Sequence, residues 1–322
     1  MRIGRQATTG GGRRRAGVIA VAATVALGAA AIATGSPPPD APGCQILPPK
    51  NSFNIPVTGT PPAKNSKAIL KEIGLGESFH ADFGSGQFDG GPIGIPYTTV
   101  PGTQPRVPVR FAFDDESDPG PYPLPANAPV EGGPGADGDR HVLVIDRDDC
   151  VLYELFNARP QNGGASWTAN SGARFDLNSN QVRPNGFTSA DAAGLPIFPG
   201  LVRFDEVAAG RIDHALRFTL ERTRNKHIFP ARHDAGKKGK NLPPMGLRLR
   251  LKPGFNADAL PPQSRVIAKA MQTYGLILAD NGSNYFMSGV PNPGWDNDDL
   301  RALGRIRGKD LVVVDSKKLP RP

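Results

Sequence analysis

Five histidines stand in 322 residues, few enough to weigh one at a time. His141 opens the apolar run HVLVI beside Asp139 and Arg140. It is either a general base oriented by a carboxylate or a buried, hydrogen-bonded packing residue. His214 begins HALRFTL and shares one strand face with Leu216, Phe218 and Leu220. That face is core in a plain sandwich and the lining of a groove in a jelly roll. Either histidine would need a carboxylate partner for acid–base work, and Asp191 and Asp280 are the carboxylates taken for that role. Arg232 and His233 lie in the polar segment PARHD, where they hold an acidic sugar group or make surface salt bridges. His227 has nothing beside it that marks more than packing. His80 and Asp82 have H-x-D spacing, a weak metal signal best read as a turn.

Glycoside hydrolysis needs two carboxylates facing across a cleft, and Glu154, Asp191, Asp205, Glu206 and Asp280 are available. The acidic run at 114–118 offers oxygen ligands of the kind calcium prefers, but it lacks the alternate spacing and central glycine of a calcium loop. It reads as a solvated loop. Trp167 and Trp295 are the only tryptophans, both in polar, turn-rich contexts. Each is a plate for stacking on a sugar ring or an aromatic packed over a loop. Residues 178–200 form a long stretch with little regular pattern, the profile of a binding loop. GxSxG, GxxxxGK, HExxH, CxxC and a GxGxxG in a βαβ setting are all missing. No metal site and no cofactor is expected.

The elements that would position these groups are mostly short strands. Alternation or continuous apolarity marks 107–113 (VPVRFAF), 141–145, 151–156 (VLYELF) and 214–220. In 247–251 (LRLRL) the alternation turns Arg248 and Arg250 outward. A polar turn at 146–149 joins two of these strands as a hairpin. A second hairpin is expected from 275–279 to 285–288 across Asp280-Asn281-Gly282-Ser283. Helices are expected at 66–73, 264–274 and 296–303, the last begun by an acidic N-terminus, and 311–314 reads as a final strand. The 34 prolines and 39 glycines are spread between apolar runs, as turns joining many strands require. The predicted architecture is mainly β: a single sandwich or jelly-roll-like domain over 65–322 with a few peripheral helices.

Residues 1–33 read as a signal peptide, with Arg13-Arg14-Arg15 before an apolar run from Ala16 and a cleavage point after Ala33. The alternative is an uncleaved membrane anchor. Residues 34–64 are a proline-rich linker or surface arm. The formal charge is +8, but five of the 38 basic residues lie in the export segment, leaving 33 against 30 acidic. No concentrated basic face follows, so nucleic acid is not an expected partner. In an exported chain the two cysteines, Cys44 and Cys150, are expected to form a disulfide.

The segments GDRHVLVIDRDDCVLYEL (138–155), FTSADAAGLPIFPGLVRFDEV (187–207), HALRFTL, PARH, PPMGLRLRLK (243–252) and ILADNGSNYFMSG (277–289) occur in this order. In that order they resemble an uncharacterised family of secreted bacterial proteins. The resemblance implies a single exported domain and brings no established activity or catalytic residue. The function expected from all of this is an exported protein that binds an extracellular polysaccharide and, if an enzyme, cleaves it. The alternative is a non-catalytic cell-envelope or extracellular structural protein. Clustering separates the two, since an enzyme needs its histidine, carboxylate and arginine in one cleft.

Overall fold

The computed structural model describes residues 35–321, so the apolar segment and its cleavage point lie outside the described residues. In chain order the first strands are β1 (His80–Asp82), β2 (Gln87–Phe88), β3 (Gly91–Pro92), β4 (Tyr97–Val100), β5 (Val109–Phe111) and β6 (Val142–Asp146). Then come β7 (Val151–Phe156), β8 (Arg159–Gln161), β9 (Ser166–Ala169), β10 (Ser171–Asp176), β11 (Leu216–Leu220) and β12 (Arg224–His227). The last are β13 (Pro244–Met245), β14 (Arg248–Leu251), β15 (Leu276–Asn281), β16 (Phe286–Ser288) and β17 (Leu311–Val313). Among the described residues four α-helices accompany them: α1 (Ser66–Ile73), α2 (Phe204–Ala208), α3 (Pro262–Thr273) and α4 (Asn297–Arg301). The chain is thus β-rich with few helices. Its strands form several sheets, none of them closed. Among the described residues no helix is long and apolar enough to cross a membrane.

The continuous apolarity of VLVI has a direct cause. β6 lies inside a four-stranded sheet ordered β10-β7-β6-β4 and is buried on both faces. Leu143, Ile145 and Leu152 face the main core, while Val142, Val144, Tyr153 and Leu155 face a second core around Trp167 and Tyr122. The β6–β7 hairpin forms as the polar turn predicts, with Asp146 opposite Val151. Asp146 Oδ1 accepts from the amides of Asp148 and Asp149 and so holds the turn. Only Val109–Phe111 of the expected 107–113 strand is regular, with a bridge from Val107 to Tyr122.

The larger sheet has six strands in the order β1-β16-β11-β15-β14-β17. Here two expectations fail. β15 and β16 do not pair as a hairpin. β11 lies between them, parallel to β15 and antiparallel to β16. The intervening turn hooks over the end of β11, where Gly282 and Tyr285 amides donate to Leu220 and Thr219 carbonyls. Nor do Arg248 and Arg250 point to solvent, for both are buried. The 50–57 segment of the arm covers their face. Arg248 donates to the carbonyls of Ser52, Ile55 and Tyr274, and Arg250 to that of Val57. Alternation thus locates the polar face of a strand but does not say whether that face is wet. Burial lowers the pKa of Arg248 to about 9, with no carboxylate of the described residues beside it to oppose the shift. Arg248→Ala is expected to lower the unfolding free energy by about 2 kcal/mol, since it strands buried carbonyls. Urea unfolding checks this, and an unchanged midpoint would refute it.

The arm is tied down at a second point. Cys44 and Cys150 are joined by a disulfide, with Cα atoms 5.2 Å apart, linking the arm to the β6–β7 turn. Residues 178–200, expected as a binding loop, divide in two: 178–188 are mostly exposed or half-buried, while 189–200 are mostly buried and bond to both sheets. Ala190, Asp191, Ala193, Leu195, Ile197 and Phe198 are buried. A buried loop must have its backbone groups satisfied. Glu154 on β7 accepts from the amides of Ile197 and Phe198, and Ser171 on β10 donates to the Ser189 carbonyl. On the other side the Ala193 amide donates to the Ala279 carbonyl of β15.

Candidate functional site

Residues paired across neighbouring strands show their side chains on the same sheet face. His80 pairs with Phe286, Phe286 with Thr219, and Thr219 with Asp280, which makes one row across β1, β16, β11 and β15. Asp82 pairs with Ser288 in the adjacent row. Arg217 precedes Phe218, which pairs with Met287, and so stands opposite Ser288 on the same face. Asp280 belongs to this face only because of a bulge. The β11–β15 register shifts between Phe218 and Thr219, so Thr219 meets Asp280 rather than Ala279. Bulges re-aim side chains in this way.

Arg217 is the centre of the charged group. Its Nη1 donates to Ser288 Oγ at 2.6 Å, and its Nη2 lies 3.9 Å from both Asp191 Oδ2 and Asp280 Oδ2. Asp191 is buried. Its Oδ1 accepts from the amides of Ala193 and Leu195, while its Oδ2 has no hydrogen-bond donor. Arg217 Nε likewise has no acceptor. Asp280 accepts from the Ala192 and Asn281 amides and keeps 23% of its side chain open to solvent. Burial raises the pKa of both carboxyls against the pull of Arg217, and the charge of Asp280 adds to the rise at Asp191. Asp82 is exposed by its accessible area, yet enclosure by the protein is the main cause of its raised pKa, with Glu131 adding. Reachable by solvent but surrounded is the condition of a residue inside a cleft.

His141 joins the group through its backing. Nδ1 donates to Glu131 Oε2 at 2.6 Å and Nε2 to the Ala190 carbonyl at 3.0 Å. Burial alone would depress its pKa, but the charge and hydrogen bond of Glu131 outweigh that and raise it to about 9. Glu131 is held below its usual range in return, since the pull of His141 exceeds the effect of burial. Burial lifts Glu154 to about 7 even though two backbone amides bind it.

Three of the four expected catalytic groups, His141, Asp191 and Asp280, therefore come together, with His141 in a positioning role. Both its ring nitrogens are occupied, so it has no free lone pair for a substrate. His214 stands apart. It is buried, with Nε2 on Glu206 at 3.0 Å and Nδ1 on the Ala215 carbonyl, and Arg203 contacts the same Glu206. His214 is not part of β11, which starts at Leu216. Arg232 turns to the Arg183 carbonyl, away from the carboxylates. His233 sits behind the group, with Nδ1 on the Ala192 carbonyl at 2.9 Å. The tryptophans correct an expectation outright. Trp167 is 2% exposed inside the second core, and Trp295 is 3% exposed between Phe83 and Phe204. Neither has a ring face for a sugar. The acidic run at 114–118 serves Arg183, whose guanidinium meets Asp118 and the Glu116 carbonyl.

Sequence reasoning missed Arg217, Glu131 and Ser288, and took His80 and Asp82 for a turn when they form an edge strand. One signal for Arg217 was available: a lone charge on the alternate face of the apolar run HALRFTL. Beside the carboxylates lies an aromatic feature that was also missed. The His80 ring stacks on Phe286 with centroids 4.3 Å apart, and Phe88 is 78% exposed on the β2–β3 hairpin. Gly91 of that hairpin lies so close to Gly132 that a Cβ would fall 1.9 Å from its carbonyl oxygen. That contact keeps Phe88 beside the turn carrying Glu131.

Fold and site together define a β-rich, disulfide-bridged chain with a charged row on one sheet face. No family model, no curated protein and no solved structure matches it.

Proposed function

We propose that the protein binds an extracellular polysaccharide across the β1, β16, β11 and β15 face and hydrolyses it. One observation carries this reading: the bulge that turns Asp280 onto the face shared by Asp82, Arg217 and the His80–Phe286 stack. In the reaction Asp280 gives its proton to the glycosidic oxygen as the C1–O bond breaks. Water adds its oxygen to the anomeric carbon and returns a proton to Asp280, while Asp82, on the far edge strand of the sheet, meets a neighbouring part of the sugar chain. Burial favours the proton on Asp280, and Arg217 and His141 oppose it from beneath through opposite charge. The Glu131–His141 pair and the Ala190 carbonyl hold the loop that carries Asp191.

A screen of polysaccharides for new reducing ends tests the reading. Asp280→Asn is expected to cut turnover by about 100-fold or more while leaving binding and melting temperature in place. Unsaturated ends without hydrolysis would overturn the assigned reaction. Binding without any product would leave a binding module, and neither signal would remove the carbohydrate reading.

For the setting we infer an extracytoplasmic location, with residues 1–33 removed or retained as an anchor. The Cys44–Cys150 bridge supports an oxidising compartment. The scaffold we read as a distorted sandwich, because one core takes side chains from both larger sheets. A second reading, a non-catalytic envelope or extracellular structural protein, draws on the closed ring nitrogens of His141 and His214 and the burial of both tryptophans.

A further inference from the structure

Two depressions, of about 850 and 600 Å³, meet at the stacked His80–Phe286 pair. Glu77 and Glu221 line the first and Asp82 the second. All three acids are exposed, and among the described residues none has a salt-bridge partner. No lysine lines either depression, and the single arginine, Arg301, is paired with Asp298. The groove thus joins a stacked aromatic pair to three carboxylates that have no salt-bridge partner among the described residues. An anionic sugar would meet like charge at each end, which is costly in a partly enclosed site.

We propose that this groove selects a polysaccharide carrying free amino groups, an amino-sugar polymer that is cationic in mildly acidic solution. The inference rests on the polysaccharide reading above and names its substrate class. The apolar C–H face of a pyranose ring lies on an outer face of the His80–Phe286 stack, whose inner ring faces cover each other, and Phe88 closes over it from the hairpin. Ammonium groups on successive rings meet Asp82 on one side and Glu77 and Glu221 on the other, and an ammonium over the Phe286 ring gains from its quadrupole.

Equilibrium binding of four probes to the disulfide-intact protein in mildly acidic buffer tests this: a β-1,4-linked glucosamine hexamer, its fully N-acetylated counterpart, an oligogalacturonate and an oligolysine. The glucosamine hexamer is expected to bind at least about tenfold more tightly than its acetylated form, with an affinity that falls as salt rises. Glu221→Gln, a surface change, should weaken the glucosamine hexamer and leave the acetylated one unchanged. Phe286→Ala should weaken both sugars. Tighter binding of oligogalacturonate or of the acetylated hexamer would overturn the amino-sugar assignment while keeping the polysaccharide reading. Oligolysine bound as well as the glucosamine hexamer would show that charge alone is recognised and would also overturn it. Failure to bind any of the three sugars would count against both.

Discussion

Replacing Cys44 and Cys150 together by serine is expected to lower the unfolding free energy by roughly 4–5 kcal/mol in the chain-entropy account of a loop this long. The two residues are 106 apart in sequence, so the bridge removes a large set of unfolded conformations. The folded state has its own stake. The arm that Cys44 anchors supplies the Ser52, Ile55 and Val57 carbonyls to Arg248 and Arg250. An arm that frays more often leaves two buried guanidinium groups without their acceptors. Urea unfolding of the double serine variant beside the oxidised protein measures the loss. Equal midpoints and equal slopes would refute it.

The second large effect is a fall in stability between pH 6 and pH 9. His141, Glu154 and Asp191 all have folded pKa values above their unfolded ones. Such groups contribute fully below the unfolded pKa, and the contribution is lost as pH rises through the folded value. For His141 that window runs from 6.5 to about 9, and for Glu154 from 4.5 to about 7. His141 alone accounts for about 3 kcal/mol, and the two carboxyls act in the same direction. The physical content is simple: the fold takes up protons to ease buried carboxylates and to complete the His141 ion pair. Urea midpoints recorded from pH 6 to pH 9 should fall, and Glu154→Gln should flatten the lower part of the slope. A midpoint that stays level or rises would contradict this account.

Much of the fold could be read from local pattern, and its failures have a common form. The turn at 146–149, the 151–156 strand, α1 and α3 are set by neighbours in sequence. The acidic start of the 296–303 helix also holds, with Asp296 capping the amides of Asp298 and Asp299. What could not be read depends on distant chain. Arg248 and Arg250 alternate as a wet face would, but a segment about 200 residues upstream covers them. The apparent hairpin at 275–288 is opened by β11, some 60 residues earlier. The tryptophans look polar by their neighbours and are apolar by their packing. In the site, His141, Asp191 and Asp280 were legible as chemistry-bearing types. Their meeting was not, because it needs the buried 189–200 segment to bring Asp191 to His141 and a one-residue bulge to turn Asp280 toward them, and neither leaves a mark in composition or periodicity. Arg217, which organises them, looked like a stray charge in a strand.

The position of β11 has a consequence for how the molecule opens. Its two neighbours, β15 and β16, are consecutive in the chain and clasp it from both sides. β11 can leave the sheet only if that clasp parts, and parting it exposes the centre of the main core. The amides of β11 should therefore exchange with solvent deuterium only through global unfolding, on the slowest timescale of the molecule. β1 sits at the free edge of the same sheet and is held by β16 alone. Its amides are free to exchange through small local openings. The proposed binding face thus runs from the most persistent strand of the protein to one of its most labile, with Asp280 beside the first and Asp82 on the second.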